Sequence, residues 1–588
     1  MGSGGNGAGW VGVAGSVRAK GRVRAPELRG AGGWLNTGGR ELSLAGLRGR
    51  IVLLDFWTSA CANCLHVIDE LRPLEARYAD VLTTIGVHSP KFPHEAEHAA
   101  VVTAVQRYDV RHPVLDDPDL ATWRQYAINA WPTLVLVDPD GYVVATKAGE
   151  GHAAALAELV DGLIAEYGDR LRRGDDAYVE PDRQETTLRF PGGIAVTPAG
   201  TLLVADAGHH SVVELAADGE TLLRRIGSGR RGRADGGPGV AGFAEPQGLT
   251  VLPPGAVPGV DVLVADTANH LIRGVRLETG EVSTVADLPA ALAGARTITG
   301  PVPRVLSPWG VAWWDGRIVV AAAGVHLLLS VDAAGTAAVL AGTTVEGLED
   351  GPALDGWLAQ PSALAPDGPR LWFADAETSS LRTFEDRVLR THVGEGLFDF
   401  GLVDGPAEQA RFQHPLGVTL LPDGTVAVLD TYNGAVRRFD PRDRIVDTLA
   451  TGLAEPTGAV VRDDELLVVE SAAHRITRIP LRPTVEVSTG DITVAVTFVP
   501  PPGETLDDRY GPSTSLTITG LAEGASRGPE LTRTLTVSTE TRLHVSAYAA
   551  SCDEQAEHPA CHLARRDWDL RVADGGPARV ELVLDAHR

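Results

Sequence analysis

Residues 51–78 read IVLLDFWTSACANCLHVIDELRPLEARY, and the fold of the first part of the chain follows from them. The apolar run at 51–54 predicts a buried strand that ends in Asp55, Phe56 and Trp57. After Thr58, Ser59 and Ala60, apolar residues recur at helical spacing at Leu65, Ile68, Leu71, Leu74 and Tyr78. Cys61 and Cys64 therefore stand where a strand gives way to a helix. A thiol at a helix start faces unsatisfied amide N–H groups and the positive end of the helix dipole, which favours the thiolate. Two cysteines separated by two residues close a disulfide with little backbone movement, the first then being the exposed nucleophile. This is thiol–disulfide exchange geometry. Half of a zinc site is the rival, but no second Cys-x-x-Cys or His-rich partner lies nearby, and no metal is expected.

Outward from this stretch, residues 81–87 predict a second apolar strand, followed by a helix over 94–108 and a short one near 120–126. Residues 134–137 form a further strand, Asp138-Pro139-Asp140-Gly141 turns it into 142–145, and a helix over 153–167 closes the unit. This order describes an α/β domain, a central sheet with helices on both faces, over residues 25–168. Residues 1–24, rich in Gly and Arg, are expected to be disordered. The polar segment 169–189 is expected to be a linker.

Residues 190–482 repeat one frame. A Pro-x-Gly-like turn, a strand, a second strand ending in an acid and two outer strands recur from Pro191, Pro246, Pro308, Pro361, Pro415 and Pro456. One such sheet cannot bury both of its faces alone, so the copies must stack around an axis as a six-bladed all-β propeller. Asp206, Asp266, Asp375, Asp430 and Glu470 end the second strands, with Ala322 at the matching place in the third copy. They either cap turns by accepting backbone N–H bonds or ring a cation or ligand at the mouth. Residues 483–588 alternate apolar and polar positions and predict a small antiparallel β-sandwich. Cys552 and Cys561 flank a polar loop there as free thiols, a second disulfide or a substrate of the first pair.

Composition bounds the rest. The 588 residues carry a formal charge of −25, with 44% hydrophobic and 22% charged residues. That acidity excludes a basic face for nucleic acid. No apolar run reaches the roughly 18 residues of a membrane-spanning helix. With four cysteines and no secretion signal, a cytoplasmic protein is expected.

The first domain resembles the thioredoxin superfamily, in particular its TlpA-like or peroxiredoxin-like branch. Asp55-Phe56-Trp57 stands where that family has its buried acid and aromatic pair, Cys61 and Cys64 match its active cysteines, and Pro132 matches its cis-proline. The resemblance implies that Cys61 attacks, Cys64 resolves and Asp55 assists proton removal from Cys64. It also implies that Trp57, Trp131, Pro132 and Thr133 shape a substrate groove. Ala60 and Ala62-Asn63 depart from the common motif, so the reduction potential does not carry over. The repeats resemble NHL repeats, and the three parts in this order resemble the family of NHL repeat-containing protein 2 and its bacterial relatives.

The expected function is a cytoplasmic thiol–disulfide oxidoreductase with the propeller as a client-binding platform. The alternative is a redox-sensing interaction scaffold without turnover. Expected partners are protein clients or a thiol reductant system, with no nucleic acid and no membrane. The chain is expected to be monomeric and to need no cofactor beyond the Cys61–Cys64 disulfide.

Overall fold

The computed structural model describes residues 22–585 apart from 175–176, 182–184, 293–303, 333, 482–483, 502–503, 507–511, 522–523, 539–541, 553–560 and 574. The chain divides into two units, residues 1–183 and 184–588.

In the first unit the elements run β1 Gly33–Leu35, β2 Ile51–Trp57, α1 Ala62–Tyr78, β3 Leu82–His88, α2 His98–Arg107, β4 Val114–Asp116, α3 Ala121–Gln125, β5 Thr133–Val137, β6 Val143–Ala148 and α4 Ala153–Tyr167. They build one sheet in the order β1-β4-β3-β2-β5-β6. β2, β3 and β4 are parallel neighbours, while β5 pairs antiparallel with β2. Every residue of β2 is buried, as its unbroken apolar run requires of a strand covered on both faces. Ile51 and Leu53 pack under Val67, Leu71 and Leu74 of α1 and Leu156 and Val160 of α4. Val52, Leu54 and Phe56 face Leu44, Leu47 and Trp123 of α3 on the other side. Pro73 lies inside α1. Its cost of about 3 kcal/mol is offset by burial of Val67, Leu71 and Leu74, about 1.5–3 kcal/mol each.

Three expectations change. The helix expected over 94–108 is a 3₁₀ turn, Pro93–Ala96, then α2, because Glu97 is extended (φ −77°, ψ 125°). Residues 1–21 of the segment expected to be disordered lie outside the described residues. Residues 22–24 join the sheet edge instead, Arg24 bridging Tyr142 and the Val143 N–H donating to the Val23 carbonyl at 2.9 Å. Much of the expected linker packs back on this unit through Arg172 N–H to Gly49 O (2.7 Å) and Val179 N–H to Asn36 O (2.8 Å).

The second unit is all β over its strands. Six antiparallel sheets follow one another at residues 191–226, 246–287, 308–341, 351–393, 405–450 and 456–480. Between their ends the second strands are apolar because alternate residues serve different neighbours. Leu203 and Ala205 join the core of the second sheet, while Leu202 and Val204 join Leu467 and Val469 of the sixth. The same sharing links the second sheet to the third, the third to the fourth, the fourth to the fifth and the fifth to the sixth. Four left-handed histidines, His210, His270, His326 and His474, each accept through Nδ1 the backbone N–H that opens the neighbouring sheet, the last being that of Phe190.

The repeated acids are inside the sheets. Asp206, Asp266, Asp375, Asp430 and Glu470 are fully buried. Each accepts the N–H of a residue just ahead of its own sheet, from Arg189, Ala244, Ala359, Gln413 and Ala454. In three sheets the second oxygen pairs with a buried arginine, Arg273, Arg382 or Arg437, which also reaches Asp235, Asp350 or Asp404 of the preceding connection. These carboxylates cap turns and neutralise arginines and do not face a solvent-filled mouth. Of the two roles left open by the sequence, this is the capping one.

The last residues form two sheets around one core that includes Ile492, Val494, Leu516, Val545, Leu570 and Leu582. The antiparallel expectation is corrected at two places. Thr484–Val487 runs parallel to Cys561–Val572, and Gly490–Val499 runs parallel to Arg579–Asp585. Strands from the two ends of this region are neighbours, which alternation within a strand cannot reveal.

Candidate active site

Cys61 is the N-cap of α1, half-buried, and its carbonyl accepts the N–H groups of Cys64 (3.0 Å) and Leu65 (3.3 Å). Cys64, one turn in, is fully buried. Both are free thiols. Burial pushes the Cys64 thiol well above its usual range, Cys61 and Asp55 push the same way, and a backbone hydrogen bond from Thr58 opposes them. Cys64 therefore needs a base to become a nucleophile. Asp55 is the carboxylate nearest to that task. It has no exposed surface, and neither of its oxygens has a protein hydrogen-bond partner. Burial raises it from the ordinary 3.8 to about 7, with His112 pulling it down and Glu75 pushing it up. A carboxyl titrating near neutrality can take a proton from one partner and pass it to another.

The loop before Cys61 is held by an acid that the sequence reading passed over. Glu95 is 1% exposed. Its Oε1 accepts Thr58 Oγ1–H (2.6 Å), Ser59 Oγ–H (2.7 Å) and Ala60 N–H (2.8 Å), and its Oε2 accepts Lys91 N–H (3.0 Å) and Phe92 N–H (3.1 Å). Burial opposes ionisation, but His88 and these donors outweigh it and hold the carboxyl below its usual range. His88 is fully buried against Trp57, ring centroids 4.9 Å apart, and burial lowers its pKa. In sequence Glu95 looked like one more acid on a helix. Only its inward turn within Pro93–Ala96 sets it apart.

The proposed groove residues divide. Trp131 is partly exposed and packs with Cys61 beside the cluster containing Trp57 and Cys64. Its Nε1–H donates to Ser89 O at 2.8 Å, and the Trp131–Pro132 bond is cis. Trp57 is fully buried, Pro132 is buried, and Thr133 is 3% exposed with its hydroxyl on Ala130 O, so these three support the site from beneath and do not line a groove with their side chains. His66, in the first part of α1, is 7% exposed with Nδ1 2.7 Å from Glu150 Oε2. The backbone sets Cys552 opposite Cys561 across a strand pair. Their side chains lie outside the described residues, and with them the question of a second disulfide. Among the described residues no cluster of three or more His, Cys, Asp or Glu is arranged to hold a metal ion, and no helix is long and apolar enough to cross a membrane.

A thioredoxin-like family model matches residues 49–143, the span that holds every one of these groups from Asp55 to Pro132. An NHL repeat model matches 188–215 and 412–439, within the first and fifth sheets. The chain carries a thioredoxin-like domain and NHL repeats. Protein SUPPRESSOR OF QUENCHING 1, chloroplastic, of Arabidopsis thaliana is 32% identical over 501 residues, 77% of this chain and 46% of that one. NHL repeat-containing protein 2 of Gallus gallus is 33% identical over 482 residues, 74% of this chain and 65% of that one. The chain thus spans between about half and two thirds of the length of these relatives. Over the thioredoxin-like domain alone, protein DipZ of Mycobacterium tuberculosis is 37% identical over 142 residues, 24% of this chain and 20% of that one. The thioredoxin-like domain is also related to proteins described as thiol-disulfide oxidoreductases.

Proposed function

We propose that the chain is a thiol–disulfide oxidoreductase that reduces or exchanges disulfides of protein clients. Cys61 attacks, Cys64 resolves and Asp55 is the base. The observation that carries this reading is the pairing of a half-buried thiol at a helix N-terminus with a buried thiol beside a carboxyl titrating at about 7. Cys61 thiolate attacks a client disulfide, forming a Cys61–client bond and releasing one client thiolate. Asp55 then takes the Cys64 proton, Cys64 attacks Cys61 Sγ, and the second client sulfur leaves reduced. The thiol pair ends oxidised, and a thiol reductant system restores it. The disulfide is the whole redox group in this scheme.

The six sheets, two of them matched by the NHL model, form in this proposal a six-bladed propeller closed between its sixth and first blades, followed by a two-sheet β-sandwich. The propeller offers loops on a rigid frame to bind or orient the client. Trp131 borders the client groove, and a cis bond joins it to Pro132. The compartment proposed is the cytoplasm and the state a monomer.

Replacing Cys64 by Ala should trap Cys61-linked clients that non-reducing gels resolve and Cys61→Ser abolishes. Recovery of none, with partner capture unchanged in Cys61→Ser, would leave the redox-sensing scaffold as the function.

A further inference from the structure

A small polar niche lies beside Asp55. The parallel register of β2 and β3 pairs Asp55 with Gly86 and Trp57 with His88. Gly86 sits in an extended strand, so its conformation does not call for glycine. The space does. A Cβ at Gly86 would lie 2.9 Å from Trp57 Nε1, 3.0 Å from His112 Nε2 and 3.3 Å from Val114 Cγ2. Trp57 Nε1, His112 Nε2 and both Asp55 oxygens are buried without a protein partner. Each such atom is costly when left unsatisfied, and a buried water typically satisfies about two to four of them. The indole N–H can only donate and the Asp55 oxygens can accept, which is the mixed set a water requires.

The niche has an outlet. His112 Nδ1 lies 2.8 Å from Glu75 Oε1, and Glu75, on α1, keeps 22% of its side chain exposed. With Nδ1–H donated to Glu75, His112 presents the Nε2 lone pair to the niche. The charged or titratable groups acting on Asp55 are Cys64 and Glu75 from α1 and His112 from the loop before β4; Arg72 acts on Glu75 from outside.

We propose that the Gly86 niche binds one water and that this water, His112 and Glu75 form the proton exit of Asp55, with His112 as the positioning residue. The inference rests on the thiol-exchange reading and extends it. When Cys64 attacks the Cys61–client disulfide, its proton moves to Asp55, the Cys61–client bond breaks, and the client sulfur takes a proton from solvent. Asp55 then passes its proton through the water to His112 Nε2. The imidazolium gives its Nδ1 proton to the Glu75 carboxylate, whose exposed side releases it to solvent. Gly86 keeps the path open, because any side chain there would displace the water.

The test uses the full chain with the His112→Gln substitution and oxidised glutathione as the probe disulfide. Carbon NMR of the Asp55 carboxyl should show its titration moved up by about one unit. Resolution of the Cys61–glutathione bond by Cys64 should slow by roughly tenfold at pH 7 while the first attack by Cys61 is unchanged. An unchanged Asp55 titration in folded His112→Gln overturns the proposal. If that variant does not fold, the wild type decides: a long-lived water showing a cross-relaxation peak to the Trp57 indole proton supports the niche, and its absence refutes it. Failure of the wild type to resolve the glutathione adduct at all would sink the thiol-exchange reading instead, and the Asp55 titration would still judge the niche.

Discussion

Replacing Asp55 by Asn should stabilise the thioredoxin-like domain and slow it as a catalyst, with a pH dependence that identifies the cause. Burial raises the Asp55 carboxyl from 3.8 to about 7. Between those values the folded domain holds a proton that the unfolded chain has lost, so stability falls as pH rises through this window. Above it the full difference of about 3 units applies, worth about 4 kcal/mol; at pH 5 only about 1.2 units apply, worth about 2 kcal/mol. Asn has the same shape and no charge, so it should recover about 4 kcal/mol at pH 8, about 2 kcal/mol at pH 5 and nothing below about pH 4. Hydrogen exchange of the peptide covering β2, compared between variant and wild type, reads this directly. The ratio of protection factors should grow by roughly sixtyfold from pH 5 to pH 8. Asn cannot accept the Cys64 proton, so resolution of mixed disulfides should fall by about a hundredfold or more. A stability gain of the same size at both pH values would refute the reasoning, since a packing effect does not titrate.

Glu95→Gln keeps the shape but turns one of two acceptors into a donor facing donors, so unfolding of this domain should become easier by about 2–4 kcal/mol. A loss below about 0.5 kcal/mol in a thermal melt would mean that the five hydrogen bonds do not hold the Cys61 loop. Arg382→Met leaves buried Asp375 without its cation and should cost about 3–5 kcal/mol by denaturant titration. Adding Asp375→Ala with Arg382→Leu copies the third sheet, where Ala322 and Leu329 stand at these places, and should recover most of that loss. If the paired variant is no better than Arg382→Met, the two positions are not exchangeable between sheets.

The strand, the two cysteines and the helix were legible in residues 51–78 because each rests on a local pattern: an apolar run, a Cys-x-x-Cys spacing, a 3.6-residue period. The six repeats were legible for a related reason. A strand covered on both faces is apolar between its ends, and the four residues ahead of Asp206 or Asp430 announce this without reference to their neighbours. Side-chain environment is another matter. That Trp57 supports the site from beneath while Trp131 borders it, that Glu95 turns inward to gather five donors, and that Asp55 shares a niche with Gly86 and His112 depend on which distant segments meet. So does the pairing of Arg273, Arg382 and Arg437 with one aspartate of their own sheet and one of the connection before it. Local periodicity follows from the geometry of one strand or helix, whereas desolvation and hydrogen bonding are set by everything within a few ångströms of an atom. Local pattern places the thiols and sets the repeat of the sheets; which carboxyl is driven toward neutrality depends on the assembled fold, because burial among distant segments supplies that free energy.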